Sequence, residues 1–421
     1  MNLDRRHLLL AATVGALSST RVAYAQPRVE PEAVGFSARK LAALDAGMQA
    51  FIDRGQLAGV TTLVARHGKV VHRAAQGYAD VVAQTPLAED AIFRIASMTK
   101  CVVGVAMMMF YEAGKWRLDD TVETHIPQFK GLKVRAVDGF IDAQVRPMTM
   151  RQLVSHSAGF DGAGGSTLQA PAVETPQPSR GAERMIERLA QQPLAFQPGT
   201  DWRYGPGASI QGYLIEKWSG MTLDQFFRTR IFAPLQMEDT GYYVPAAKAA
   251  RVVKMHAFGP DGRLGLADFK DDPVRVPAAY SGSSGLLSTA QDFWRFAQML
   301  ANGGELDGVR LLAPASTRLM RQNLLPPEVK VDLYGPSQEG VGFGIDFAVM
   351  FDPGASRSPM GKGSHWWGGG YGTWFWIDPT HDVVAVTLIQ CLRGSIPNAG
   401  APPLRDVLPR LVYGALETPR A

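Results

Sequence analysis

Two places in the 421-residue chain set a serine and a lysine three residues apart, Ser37…Lys40 and Ser97…Lys100. On a helix that spacing puts hydroxyl and amine on one face, a turn apart. A lysine withdrawn from water loses proton affinity, so it can act as a base toward the serine and make it a nucleophile. The neighbours separate the two pairs. Ser37 precedes apolar residues at Leu41, Leu44, Met48, Phe51 and Ile52. It reads as the cap of an amphipathic helix that stops near Gly55, with Lys40 on the solvated side. Ser97 opens the most apolar helix of the chain, Cys101 to Phe110. Lys100 is therefore expected against a dry wall, and the helix start offers free N–H groups and a positive dipole end to an oxyanion. The plainer alternative makes Ser97 a second helix cap.

Other chemistries lack their residues. The nearest approach to a Gly-x-Ser-x-Gly elbow, Gly354-Ala355-Ser356-Arg357-Ser358, fails at its last position. Eight histidines and two cysteines, Cys101 and Cys391, show no ligand spacing, so neither a metal nor another cofactor is expected. His156 reads as a structural group beside a helical turn. No Gly-rich phosphate loop appears, and a net charge of +4 carried on scattered basic residues argues against a nucleic-acid surface.

Positioning those groups needs a sizeable core, which 46% apolar and 19% charged residues allow. Residues 1–25 read as a signal peptide: adjacent Arg5 and Arg6, an apolar run Leu8 to Leu17, and Ala23-Tyr24-Ala25 as the cleavage site. The paired arginines resemble a twin-arginine signal, so a periplasmic or secreted address is expected, and no membrane span follows. Residues 60–65 and 69–74 read as a hairpin turning at His67-Gly68. Helices are expected at 98–113, 183–191, 208–219, 222–231, 289–300 and 404–413, a short helix running into a turn over 148–160, and strands at 342–350, 372–377 and 383–389. Residues 161–182, rich in Gly, Pro, Ser and Thr, read as a long loop. Strands at both ends with helices between them predict an α/β (α+β) fold. In it an antiparallel sheet is built from residues 26–96 and about 335–421, and a mainly helical domain of about 97–334 is inserted.

The segment Phe93-Arg94-Ile95-Ala96-Ser97-Met98-Thr99-Lys100 resembles the nucleophile segment of the serine β-lactamase and penicillin-binding-protein superfamily. Leu153 to Phe160, Pro198 to Tyr204, Gly285 to Asp292 and Trp366 to Gly372 resemble, in order, later segments of its class C branch. The resemblance implies that Tyr204 is the second proton-handling group, useful as a base if cationic Lys100 stabilises its phenolate. It departs from the penicillin-active pattern at two motifs. Tyr-x-Asn is here Tyr204-Gly205-Pro206, and Lys-Thr-Gly is Trp367-Gly368-Gly369, so the groups that hold an amide and a carboxylate are gone. A second register would use His365 as in a His-x-Gly variant, with Trp367 standing where that variant has glycine.

With Ser-x-x-Lys and Tyr, the Trp-Gly-Gly motif resembles the family VIII carboxylesterases and related acyltransferases. That resemblance implies an oxyanion hole from the backbone N–H groups of Ser97 and Gly370. A small-molecule ester is the expected substrate, with Trp202, Trp366, Trp367, Gly368, Gly369 and the 161–182 loop as candidate walls. The alternatives are a β-lactamase or D-alanyl-D-alanine peptidase, an acyltransferase, and a non-catalytic cell-wall binding module.

Overall fold

The computed structural model describes residues 28–135, 139, 141–161, 180–332, 338–392 and 403–417. The expected signal segment and nearly all of the 161–182 loop lie outside them. An antiparallel sheet runs through the molecule. Its strands are β1 (Gly59–Arg66), β2 (Lys69–Asp80), β3 (Thr85–Pro86), β4 (Val341–Phe343), β5 (Ala348–Met350), β6 (His365–Gly368), β7 (Trp374–Asp378) and β8 (Val383–Leu388). They lie side by side in the order β4-β5-β6-β7-β8-β1-β2-β3. Strands from the two ends of the chain meet at β8 and β1, where Thr61 faces Leu388 and Arg66 faces Val383. Next to that seam Phe36 bridges Leu416, and the Ser37 N–H donates to the Ala415 carbonyl (2.9 Å). The fold class expected from the sequence is the one observed.

The helices that bear on the site are α1 (Ala38–Asp53), α2 (Thr99–Glu112), α3 (Met150–Val154), α4 (Gly207–Ser219), α5 (Ala290–Ala301) and α6 (Leu404–Gly414). Ser37 caps α1 as expected, its Oγ accepting the Lys40 N–H (3.4 Å). The β1–β2 turn uses His67 and Gly68 in left-handed conformations (φ 52° and 71°), which suits a tight hairpin. Every residue of β8 is buried, because helices cover both faces of the sheet. Consecutive side chains of β7 point to opposite layers: Phe375 packs on Phe293 of α5 (ring centroids 4.8 Å), and the Trp376 indole donates to Tyr413 of α6 (3.1 Å). Helix α2 is buried from Thr99 to Met108, as its uniformly apolar sequence requires.

Some expectations need correction. The strand expected at 342–350 is two strands, β4 and β5, folded back on each other around Asp346, whose left-handed backbone (φ 58°) makes the turn. The helix expected at 222–231 is α-helical over Leu223–Phe227 and continues as a wider π turn, Arg228–Phe232. The mainly helical middle also carries short two-stranded ribbons, among them Phe93–Arg94 with Leu287–Ser288. No described helix is long and apolar enough to cross a membrane.

Candidate active site

Ser97 sits in the short 3-10 turn Ala96–Met98 that leads into α2, and its side chain caps nothing. The turn is held on both flanks. Ile95 donates its N–H to the Leu286 carbonyl (2.9 Å), and Ile95's own carbonyl accepts the Thr373 hydroxyl (3.2 Å). Thr99 Oγ donates to the Ala96 carbonyl (2.7 Å) and accepts the Leu286 N–H (3.3 Å). So pinned, Ala96 keeps a left-handed backbone (φ 47°), a conformation that costs a residue with a Cβ about 1 kcal/mol or more.

Two side chains converge on the Ser97 hydroxyl. Lys100, 3% exposed, donates from Nζ to Ser97 Oγ (3.3 Å) and to the Ser283 carbonyl (2.7 Å). The Tyr204 phenol hydrogen-bonds the Ser97 side chain and accepts the Trp367 indole N–H (3.2 Å). Lys100 Nζ also lies 4.6 Å from the centre of the Tyr204 ring. Burial pushes the Tyr204 phenol well above its ordinary range, and its hydrogen bonds from Ser97 and Trp367 lower it only in part. The Tyr204 phenol therefore rests neutral beside Lys100 Nζ.

Tyr204 is fixed by an aromatic box. Its ring lies 4.9 Å from His156 and 5.3 Å from Trp367, and Phe343 meets Trp367 edge-on at 5.1 Å. His156 is the structural group expected. Its carbonyl accepts the Arg203 N–H (2.9 Å) and its Nδ1 the Gly205 N–H (3.4 Å), fixing the backbone on both sides of Tyr204. Burial, and the nearby Lys100 charge, push its imidazole down to about 3, so it stays neutral.

The third motif reaches the nucleophile through one glycine. A Cβ on Gly369 would lie 2.2 Å from Thr373 Oγ1 and 2.5 Å from the Ile95 carbonyl, so only glycine lets the β6–β7 turn press on the Ser97 segment. Gly370, next along, is exposed, with open space where a side chain would stand. Strand β6 is not at the sheet edge, since β5 pairs with it through Ala348 opposite Trp366 and Val349 opposite His365. That pairing ends before Trp367, which leaves the last residues of β6 unpaired on this side.

Three expected wall residues are placed otherwise. Trp202 is 3% exposed and stacks behind Tyr204 (6.2 Å, 19°), backing the ring without lining open space. Trp366 alternates with Trp367 and lies opposite Trp376, on the face covered by α6. It lines a cavity of about 490 Å³ that Trp367, Gly368, Trp374 and Arg405 also line. Gly368 faces the same way, toward Arg405. The Ser283 carbonyl was not foreseen. A run of small residues, Ser281-Gly282-Ser283-Ser284-Gly285, was the only signal for a loop that could approach α4 so closely. Ser209 and Ser283 share a 2.6 Å hydroxyl hydrogen bond there.

Comparison with known proteins agrees with this fold. The Beta-lactamase family description matches residues 44–406. An uncharacterized protein of Mycobacterium tuberculosis is 33% identical over 85% of this chain and 92% of its own. Esterase EstB of Burkholderia gladioli is 31% identical over 82% of this chain and 90% of its own. Among solved structures, "EstCE1, a hydrolase with promiscuous acyltransferase activity" superposes with a TM-score of 0.71 at 26% identity, covering 90% of this chain and 99% of that one. With the family description matching most of its length, the chain belongs to the Beta-lactamase family, within the β-lactamase and transpeptidase-like superfamily.

Proposed function

We propose that the protein is a serine hydrolase that cleaves carboxylic esters with small or apolar acyl groups through an acyl-enzyme. The observation that carries the reading is the set of contacts around Ser97. Its hydroxyl is shared by Lys100 and Tyr204, and the partner of Tyr204 on the third motif is the indole of Trp367, a neutral aromatic. Such a wall favours an uncharged acyl or alcohol group over the carboxylate of a penicillin or D-alanyl peptide. The named esterases among the relatives point the same way.

Ser97 Oγ attacks the ester carbonyl while Lys100 Nζ accepts its proton, and the N–H groups of Ser97 and Gly370 receive the oxyanion. Tyr204, neutral at rest, suits general-acid work: it gives its proton to the leaving alkoxide and recovers one from the Lys100 ammonium. Water, activated by the same pair, then releases the acid. Deacylation by an alcohol is the second reading, supported by the likeness to EstCE1 and its promiscuous acyltransferase activity.

Intact-mass spectrometry after incubation with a fluorophosphonate, run beside p-nitrophenyl butyrate hydrolysis, tests the scheme. Wild type and Ser37→Ala are expected to take one adduct and turn over the ester, and Ser97→Ala to do neither. Substantial turnover by Ser97→Ala would sink it.

A further inference from the structure

The loop of small residues that reaches Lys100 is itself held by a group of serines that the scheme above does not use. Gly282 is buried, and a Cβ there would lie 2.1 Å from the Ala208 carbonyl and 3.3 Å from the Gly212 Cα, so the loop rests directly on the backbone of α4. Ser209 of that helix is 3% exposed and meets the loop with its hydroxyl. It shares a short hydrogen bond with Ser283 Oγ (2.6 Å) and a longer one with Ser281 Oγ (3.3 Å). Ser281 Oγ accepts the Ser283 N–H (3.1 Å), and the Ser281 carbonyl accepts the Tyr242 hydroxyl (2.7 Å). Ser283 is thus held through its side chain and its N–H, and its carbonyl accepts from Lys100 Nζ at 2.7 Å.

We propose that Ser209 is a positioning residue for the general base: its hydrogen bond to Ser283 fixes the carbonyl that aims Lys100 Nζ at Ser97. The proposal rests on the Ser97–Lys100 reading. A neutral amine carries two N–H donors and one lone pair. A carbonyl oxygen can only accept, so the Ser283 carbonyl takes an N–H and leaves the lone pair to the Ser97 hydroxyl, 3.3 Å from Nζ. In the step served, the Ser97 O–H bond breaks and a new N–H bond forms on Lys100. The serine electron pair forms the bond to the acyl carbon, whose π pair moves onto the carbonyl oxygen. The ammonium so formed is a stronger donor than the amine, so the Ser283 carbonyl also favours the charged form of Lys100.

The titratable groups that face Lys100 are Tyr204, whose ring centre lies 4.6 Å from Nζ, Cys101 next to it on α2, His156 after α3 and Asp346 at the β4–β5 turn. Burial holds the phenol, the thiol and the carboxyl above their ordinary ranges and keeps His156 neutral. Exchanging a serine for alanine at 209 or 283 alters none of these charges, so a change in the titration of the base reports the aim of the carbonyl.

The test is the pH dependence of kcat/KM for p-nitrophenyl butyrate, taken beside the pH dependence of the rate of fluorophosphonate labelling at Ser97. Wild type, Ser209→Ala, Ser283→Ala and the double variant are compared. Each single substitution removes one end of the same hydrogen bond. Each is expected to lower kcat/KM by about tenfold and to move its acidic limb lower by about half a pH unit, because a lost acceptor costs the ammonium more than the amine. The double variant is expected to place the limb where the single variants do. A limb that stays in place in either folded single variant would overturn the proposal, however far the rate falls, because a merely structural role lowers the rate at every pH alike. Shifts that add in the double variant would overturn it too, since they would come from two separate contacts. If Ser209→Ala fails to fold, Ser283→Ala, in the half-buried loop, decides the matter alone. Labelling of wild type without ester turnover would defeat the ester reading alone, and the labelling profile would still judge Ser209. Absence of labelling in wild type would defeat the Ser97–Lys100 reading and this proposal together.

Discussion

Tyr204 lies beside the Lys100 amine and against the Ser97 hydroxyl and the Trp367 indole. In that setting the phenol oxygen is the part of the side chain that chemistry requires and the ring is the part that packing requires, so the two can be separated. Tyr204→Phe keeps the ring between His156 and Trp367 and removes the oxygen. It is expected to lower kcat for p-nitrophenyl butyrate by about 10²- to 10⁴-fold, the range of a lost acid–base group. KM should change little and labelling at Ser97 should persist at a reduced rate. Loss of labelling together with a drop in melting temperature would assign Tyr204 to packing. Ser97 and Lys100 were legible in the sequence because their relation is local, a single helical turn beside an apolar run. Ser283 was not, since it reaches the lysine from a loop more than a hundred residues away and belongs to no motif. Trp202 and Trp366 were legible as aromatic residues near the site but not in their direction. In a strand as short as β6, side-chain parity is set by pairing register, which composition does not reveal.

Among the elements, the β6–β7 turn bears most directly on catalysis, because it abuts the Ser97 turn with no side chain between them. Gly369→Val is expected to push the turn away from Ile95 and to move the N–H of Gly370 with it. A displacement near 1 Å costs about 100-fold in rate when the reacting groups are otherwise in place. The measurement is kcat/KM together with circular dichroism and melting temperature. Activity within a few fold of wild type would mean that the turn can relax without the oxyanion site. The sheet itself was readable from the apolar runs at both ends of the chain. The division of residues 342–350 into β4 and β5 was not, because the run is apolar throughout and only Asp346 interrupts it. One buried aspartate in an apolar stretch was the available sign of a turn.

For the molecule as a whole, buried carboxyls set how stability responds to pH. Burial pushes Asp292 up to about 7 and Asp346 to about 8, with hydrogen bonds opposing in both cases. Each native pKa is above that of the unfolded chain, near 3.9. Between these values the native state binds the extra proton, so the contribution of each group to stability is complete below about pH 4 and is lost as pH rises through the native value. Asp346→Asn removes one such loss. Relative to wild type its melting temperature is expected to be similar or lower at pH 5 and to improve by about 2 °C or more between pH 5 and pH 9. A difference between the two proteins that is constant with pH would show that Asp346 carries no extra proton in the native state.

The seam between β8 and β1 also determines the order in which the site can come into being. Ribosomal synthesis delivers the Ser97 segment in the first quarter of the chain, but the turn that completes the site hangs from β6 and β7, which are made near the end. Contacts that span most of the sequence close slowly. Ser97 and Lys100 thus spend most of the life of the nascent chain as an ordinary hydroxyl and an ordinary solvated amine, and the nucleophile exists only once the last strands have docked on the first. An acylating centre of the kind proposed, assembled in that order, is harmless while the protein is being made.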